Sequence, residues 1–128
     1  MSATAPVETA RVICRSSLVA PERAVAARAA DGAQVALVRI ASGELFAVGH
    51  FDPFSRANVV ARGIVGTATV DGTEVDVIQS PMYKQAFDLR TGRCLTDQTV
   101  SLGVWAVHEE DGMIVLGARE VAAGTGVA

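Results

Sequence analysis

Few side chains in this sequence can bind a metal or start nucleophilic chemistry: two cysteines, Cys14 and Cys94, and two histidines, His50 and His108, in 128 residues. As a total they match one mixed Cys/His iron–sulfur centre or one Cys2His2 zinc site. Their spacing argues against both, because such sites take ligand pairs a few residues apart and no two of the four are that close. Cys14 ends the apolar run Val12-Ile13-Cys14 and reads as a small buried hydrophobe. Cys94 follows a turn and is expected to be half-buried before Leu95. A nucleophilic triad would combine Ser80 or Cys94 with His50 or His108 and an Asp. No G-x-S-x-G elbow is present to expose a serine. His50, two residues before Asp52, reads as a polar loop histidine in a turn. His108, beside Glu109, Glu110 and Asp111, reads as a solvated, charge-paired residue at a hairpin end.

Composition narrows the remaining classes. Half the residues are apolar and the mean hydropathy is +0.34, which excludes intrinsic disorder. A net charge of -3 and pI near 5.3 leave no basic footprint for nucleic acid or an anionic membrane. Neither G-x-G-x-x-G nor G-x-x-x-x-G-K occurs. No apolar run approaches the ~18 to 20 residues that span a bilayer. Residues 1–10 lack both a basic start and an apolar stretch, so the expectation is a soluble, cytoplasmic chain with reduced thiols. The single lysine, Lys84, against ten arginines is read as composition bias.

The elements that must position any site are short strands. Asp31-Gly32, Ser42-Gly43, Asp71-Gly72, Thr91-Gly92 and Asp111-Gly112 punctuate the chain, and such pairs between apolar runs signal hairpins. The flanking runs include residues 34–40 (QVALVRI), 44–50, 64–70, 74–79, 104–109 and 113–117. Many short strands with regular turns predict an all-β sandwich or small barrel. Residues 21–30 (PERAVAARAA) fit either a short helix opened by Pro21 or a strand. Residues 51–61 and 80–87 each carry an X-Pro step and read as two shaped loops. Residues 10–118 are expected to form the one domain, with flexible ends at 1–9 and 119–128.

The two loops carry a resemblance. Residues 80–92 (SPMYKQAFDLRTG) resemble the second cluster-binding loop of Rieske domains, C-P-x-H-G-x-x-F-x-x-x-T-G, and residues 47–54 (AVGHFDPF) resemble the first. Asp52 and Ser80 then stand at the two cysteine positions, and Phe54 and Tyr83 at the two histidine positions. A longer pattern is more specific. It runs Asp52-Pro53-Phe54-Ser55, Ala57, Val59 and Arg62-Gly63-Ile64-Val65-Gly66. It continues through residues 80–85, Phe87, Leu89, Thr91-Gly92 and Cys94-Leu95. This is similar to the small subunit of assimilatory NAD(P)H-dependent nitrite reductase.

The resemblance implies an all-β, Rieske-like antiparallel β-sandwich with a small two-loop subdomain and no cluster. It also implies a non-catalytic accessory subunit that binds no cofactor itself. Its partner is a large subunit carrying FAD, an iron–sulfur cluster and sirohaem, and the complex reduces nitrite to ammonium. Space left by a missing cluster must be filled, since interiors are close-packed. Phe54, Met82 and Tyr83 are expected to fill it, and Asp52 to cap a turn. Phe54, Met82, Tyr83 and Lys84, with Arg56, are the expected partner-binding residues. Arg56, Arg62, Arg90 and Arg93 gather loosely near the loops, as a solvated rim or as a match for an acidic partner. Two alternatives stand beside this reading: an electron-transfer protein with its own Rieske cluster, and an autonomous β-sandwich interaction module.

Overall fold

The computed structural model describes residues 10–82 and 84–125. The strands, in chain order, are β1 (Arg11–Arg15), β2 (Arg23–Arg28), β3 (Gln34–Arg39), β4 (Leu45–Gly49), β5 (Phe51–Asp52), β6 (Ala57–Asn58), β7 (Ile64–Val70) and β8 (Thr73–Gln79). They continue with β9 (Ala86–Asp88), β10 (Arg93–Cys94), β11 (Asp97–Ser101), β12 (Val104–Glu110), β13 (Met113–Val121) and β14 (Gly124–Thr125). Two six-stranded antiparallel sheets form, ordered β1-β13-β12-β4-β3-β2 and β14-β11-β10-β9-β8-β7, beside a β5-β6 ribbon. Short 3-10 turns at Ser16–Leu18 and Val60–Arg62 are the helical elements.

Strand β3 explains how the layers meet. Its near-continuous apolar run suits a strand covered on both faces, and every residue from Val35 to Arg39 is buried. Ala36 and Val38 face the core between the sheets, with Val48, Ile78, Phe87, Leu89 and Cys94. Val35 and Leu37 face a second cluster with Ala47, Trp105, Ile114 and Leu116. Asp71-Gly72 and Asp111-Gly112 have positive φ at both residues (50° and 79°, 53° and 76°). That is the type I′ geometry whose twist matches a hairpin.

Within residues 21–30, Arg23–Arg28 resolve as strand. β2 pairs with β3 over six residues, from Arg23 opposite Arg39 to Arg28 opposite Gln34, so the edge of a sheet overrides a marginal helix propensity. Residues 119–125, expected in a tail, continue β13 to Val121 and supply β14, which pairs with Val100 and Ser101. Residues 1–9 and 126–128 lie outside the described residues. No helix among the described residues is long and apolar enough to cross a membrane.

A buried arginine joins the first sheet to the N-terminal segment. Arg39 is 8% exposed. Its Nε donates to Val19 O at 2.6 Å, its Nη1 to Gly43 O at 2.7 Å, and its Nη2 to Ser16 O at 3.1 Å. Nη1 also meets Glu109 Oε1 at 3.2 Å. The Ser16 hydroxyl donates to the same Glu109 carboxylate, which holds that carboxyl below its usual range, with Arg39 as the next cause. The planar fork of an arginine can serve this many acceptors at once; a lysine cannot.

Replacing Arg39 by Met keeps the stem but removes the side-chain donors to Val19 O, Gly43 O and Ser16 O, the first of them on a fully buried residue. Arg39→Met is expected to lower unfolding stability by about 3 kcal/mol, and Arg39→Lys to recover only part of the loss. Urea unfolding followed by Trp105 fluorescence measures both; equal stability of Arg39→Met and the parent chain would refute the role assigned to this side chain.

Candidate functional site

The two proline loops lie together at one end of the second sheet. The first leaves β4, runs through the β5-β6 ribbon and ends in the turn at Val60–Arg62. It peels away from β3 after the His50 N–H donates to Gln34 O at 3.1 Å. In an extended segment neighbouring side chains point oppositely. Asp52 is therefore fully buried and Phe51 is 47% exposed. Pro53 starts a tight turn in which the Arg56 N–H donates to Asp52 O at 2.7 Å, with Arg56 in the left-handed region at φ 61°. The loop ends against β8 at Gly63, where a Cβ would stand 2.1 Å from Gln79 O. Only glycine permits that approach.

The second loop, residues 80–85, joins β8 to β9. The Ser80 N–H donates to Gln85 O at 2.8 Å, and Gln79 Nε2 donates to Lys84 O at 3.1 Å. Lys84 has φ 60°. The Rieske pattern has glycine at this place, and the positive φ is the physical reason. A lysine here costs about 1 kcal/mol of backbone strain, held in place by the two hydrogen bonds around it.

One side chain ties the loops together. Asp52 Oδ1 accepts the N–H of Phe54 at 2.8 Å and of Ser55 at 3.4 Å, capping its own turn as expected. Its Oδ2 accepts the Ser80 hydroxyl at 2.5 Å. Asp52 and Ser80 are 0% and 1% exposed. The two positions that hold cysteines in the Rieske pattern are thus bonded directly to each other.

This geometry does not fit an iron–sulfur cluster. Cluster ligands are thiolates and imidazoles, whereas Asp52 and Ser80 offer oxygens that are hydrogen-bonded to each other. Phe54 has no donor atom; its ring packs on the core and lies 6.3 Å from the Phe87 ring. Phe54 therefore fills part of the vacated space, as expected. Met82 does not: it is 55% exposed and points away. Tyr83 lies outside the described residues. Among the described residues, no three His, Cys, Asp or Glu side chains gather as a metal site would require.

The other candidates are dispersed. Ser80 gives its hydrogen bond to Asp52, not to an imidazole. His50, expected as a polar loop residue, is only 6% exposed; its Nδ1 accepts the Ala61 N–H at 3.1 Å and so holds the turn at Val60–Arg62. Burial first, and the nearby Arg62 charge second, push its pKa below the ordinary value. His108 is exposed and pairs with Glu110 at 3.3 Å, as expected. Cys14 is half-buried in the second cluster, and Cys94, expected half-buried, is fully buried beside Gln85, Sγ to Oε1 3.6 Å. Arg90 belongs to the sheets: it binds Asp76 at 2.7 Å and Glu44 at 3.2 Å across the Phe46 ring. Arg93 donates to Gln98 O. Arg56 and Arg62 remain exposed at the loops. Phe51, exposed by 47%, was not singled out from the sequence, and Ile64, quoted there only as part of the family pattern, is exposed by 69%. The alternation next to a buried Asp52 was the available signal for Phe51.

Asp52→Ala should cost about 3 kcal/mol, because it orphans the Ser80 hydroxyl and the Phe54 N–H. Asp52→Asn should cost less, since the amide keeps an acceptor for the turn and the serine hydroxyl can rotate to accept. Equal losses in denaturant unfolding would contradict the clasp. His50 supplies the pH dependence. Its folded pKa lies below the ordinary 6.5, so the unfolded chain binds more protons as pH falls beneath that value. Its contribution is complete above about pH 6.5 and is lost as pH drops through the folded pKa. Melting temperatures from pH 8 to 5 should fall less in His50→Gln than in the parent; parallel curves would exclude His50 as the source.

The Rieske-like [2Fe-2S] domain family model matches residues 10–117. The small subunit of nitrite reductase (NADH) from Escherichia coli K12 is 31% identical over 81% of this chain and 93% of its own length. A crystal structure from Mycobacterium tuberculosis, of an NADH-dependent nitrite reductase small subunit, is 40% identical with a TM-score of 0.75, covering 89% of this chain and 96% of that one. The large subunit of nitrite reductase [NAD(P)H] from Klebsiella oxytoca is 33% identical over 88% of this chain, which spans only 11% of that much longer protein. With a clasp of oxygens where that fold family carries its cluster ligands, the chain belongs to the Rieske-like domain family and, within it, to the nitrite reductase small subunits.

Proposed function

We propose that the chain works as a non-catalytic small subunit of an NAD(P)H-dependent nitrite reductase that makes ammonium from nitrite. In this reading FAD, an iron–sulfur cluster and sirohaem reside on the large subunit, where the redox chemistry takes place. The observation that carries the reading is the match to 11% of the Klebsiella oxytoca large subunit. There the same module is part of a large chain, so a free small chain of this kind has a natural place beside one.

The two-loop end is the docking surface in this proposal. Phe51 and Met82 offer exposed apolar area, and Arg56, Arg62 and Lys84 surround it with positive charge. Asp52, the carboxylate of the first loop, is buried in the clasp and cannot neutralise them. Phe54 supports this surface from the core side, and Tyr83, between Met82 and Lys84 in the sequence, is the remaining residue of the proposed partner-binding set. The strain at Lys84 favours the same reading. A glycine would fit the backbone better, so the ammonium has a use beyond the fold.

A double variant, Met82→Ala with Lys84→Glu, is expected to lose co-purification with the large subunit and NADH-dependent nitrite reduction, with the parent complex weakening as salt rises. Lys84→Gly should raise unfolding stability by up to about 1 kcal/mol while weakening the complex. Undiminished assembly and activity in the double variant would sink the docking surface.

A further inference from the structure

Sheet edges expose unpaired backbone groups, and proteins protect them with charge, bulges or shortness. The two large sheets end in four strands among the described residues: β1, β2, β14 and β7. Three are protected. β1 carries Arg11 and Arg15 and a register break between Val12 and Cys14. β2 carries Arg23 and Arg28 at its two ends. β14 has two residues. The fourth is not. β7, Ile64–Val70 (IVGTATV), has seven residues, no charge and no proline. It pairs with β8 in unbroken register from Ile64 opposite Gln79 to Val70 opposite Thr73. Ile64, at its start, is 69% exposed.

We propose that the open edge of β7 pairs antiparallel with β7 of a second copy of this chain, across a two-fold axis through Thr67. The order of side chains singles out this occupant. About that axis Ile64 meets Val70 of the second copy, Val65 meets Thr69, Gly66 meets Ala68, and Thr67 meets itself. Every pair matches in size, and every pair but the small Gly-Ala one joins two β-branched residues, the cross-strand combination that stabilises sheets. An isologous contact sets each residue against its symmetry mate. A charge on this strand would usually meet a charge or an apolar partner; here none is present.

The neighbouring surface is consistent with the same joint. Ile64, Gly66, Ala68, Val77, Gln79 and Ala86 line a shallow groove of about 210 Å³ on the outer face of the sheet. Pairing at β7 brings the grooves of two copies side by side as one uncharged strip.

The test is sedimentation of the full chain over a range of concentrations. The parent is expected to shift from monomer to dimer, and Thr67→Lys to raise the dimer dissociation constant by about tenfold or more, two ammonium groups then meeting at the axis. That variant remains folded because Asp76, opposite on β8, and Glu74, 3.3 Å from the threonine hydroxyl, can take the new charge. Thr67→Cys should oxidise to a disulfide-linked dimer at least tenfold faster than Glu110→Cys, a control at an exposed site on another strand. Equal cross-linking rates would overturn the proposal. So would a parent chain that stays monomeric, in either of two further forms. Slow amide exchange along β7 in that monomer would assign the edge to residues 1–9. Loss of large-subunit binding in Thr67→Lys would assign it to a strand of that partner.

Discussion

The hydrogen bond from Ser80 to Asp52 is the contact on which the two-loop end depends. A carboxylate without exposure must have its lone pairs occupied, or its desolvation is uncompensated. Here the first loop supplies two backbone N–H groups and the second supplies the hydroxyl. Neither loop can satisfy Asp52 alone. Each loop is shaped by its own proline and its own backbone bonds, and the carboxylate then fixes the distance between them. The surface follows from the interior. With Asp52 turned inward, Phe51 is turned outward, and the Asp52 carboxylate does not face the positive charges on the two loops.

A second constraint works at the opposite scale. β3 is buried on both faces and ends in Arg39, whose fork reaches the N-terminal turn, the turn at Gly43 and β12. The β4 strand that leads into the first loop lies directly against β3, in register from Leu45 to Gly49. The loop therefore starts beside a strand that is buried on both faces. Sites supported in this way hold their geometry better than sites on free loops.

Much of this was legible in the sequence. The Asp-Gly and Ser-Gly pairs located turns because their φ requirements are local. The loop patterns located the clasp because Pro53, Pro81 and the residues around them depend on near neighbours. The misses share a physical origin in tertiary contact. Residues 21–30 had adequate helix propensity, and only the neighbouring β3 made them a strand. His50 looked polar and solvated because its acceptor role toward Ala61 spans eleven positions. Met82 was expected to pack inside, but it is exposed, while Phe54 packs on the core and Asp52 bonds to Ser80. The bonding role of Arg39 was not legible, since its acceptors come from the turn at Ser16–Val19, from Gly43 and from Glu109. Arg90 was grouped with the loop arginines by position, while its guanidinium joins residues 46 and 14 positions away.

A fold whose end is closed by oxygen and hydrogen has a different supply line from one closed by iron and sulfide. Its two loops reach their final arrangement from the polypeptide alone. They need no cluster-assembly machinery, and nothing in the Asp52–Ser80 bond can be destroyed by oxygen or stripped by a chelator. The domain should therefore mature at the same pace whether the cell is rich or poor in iron.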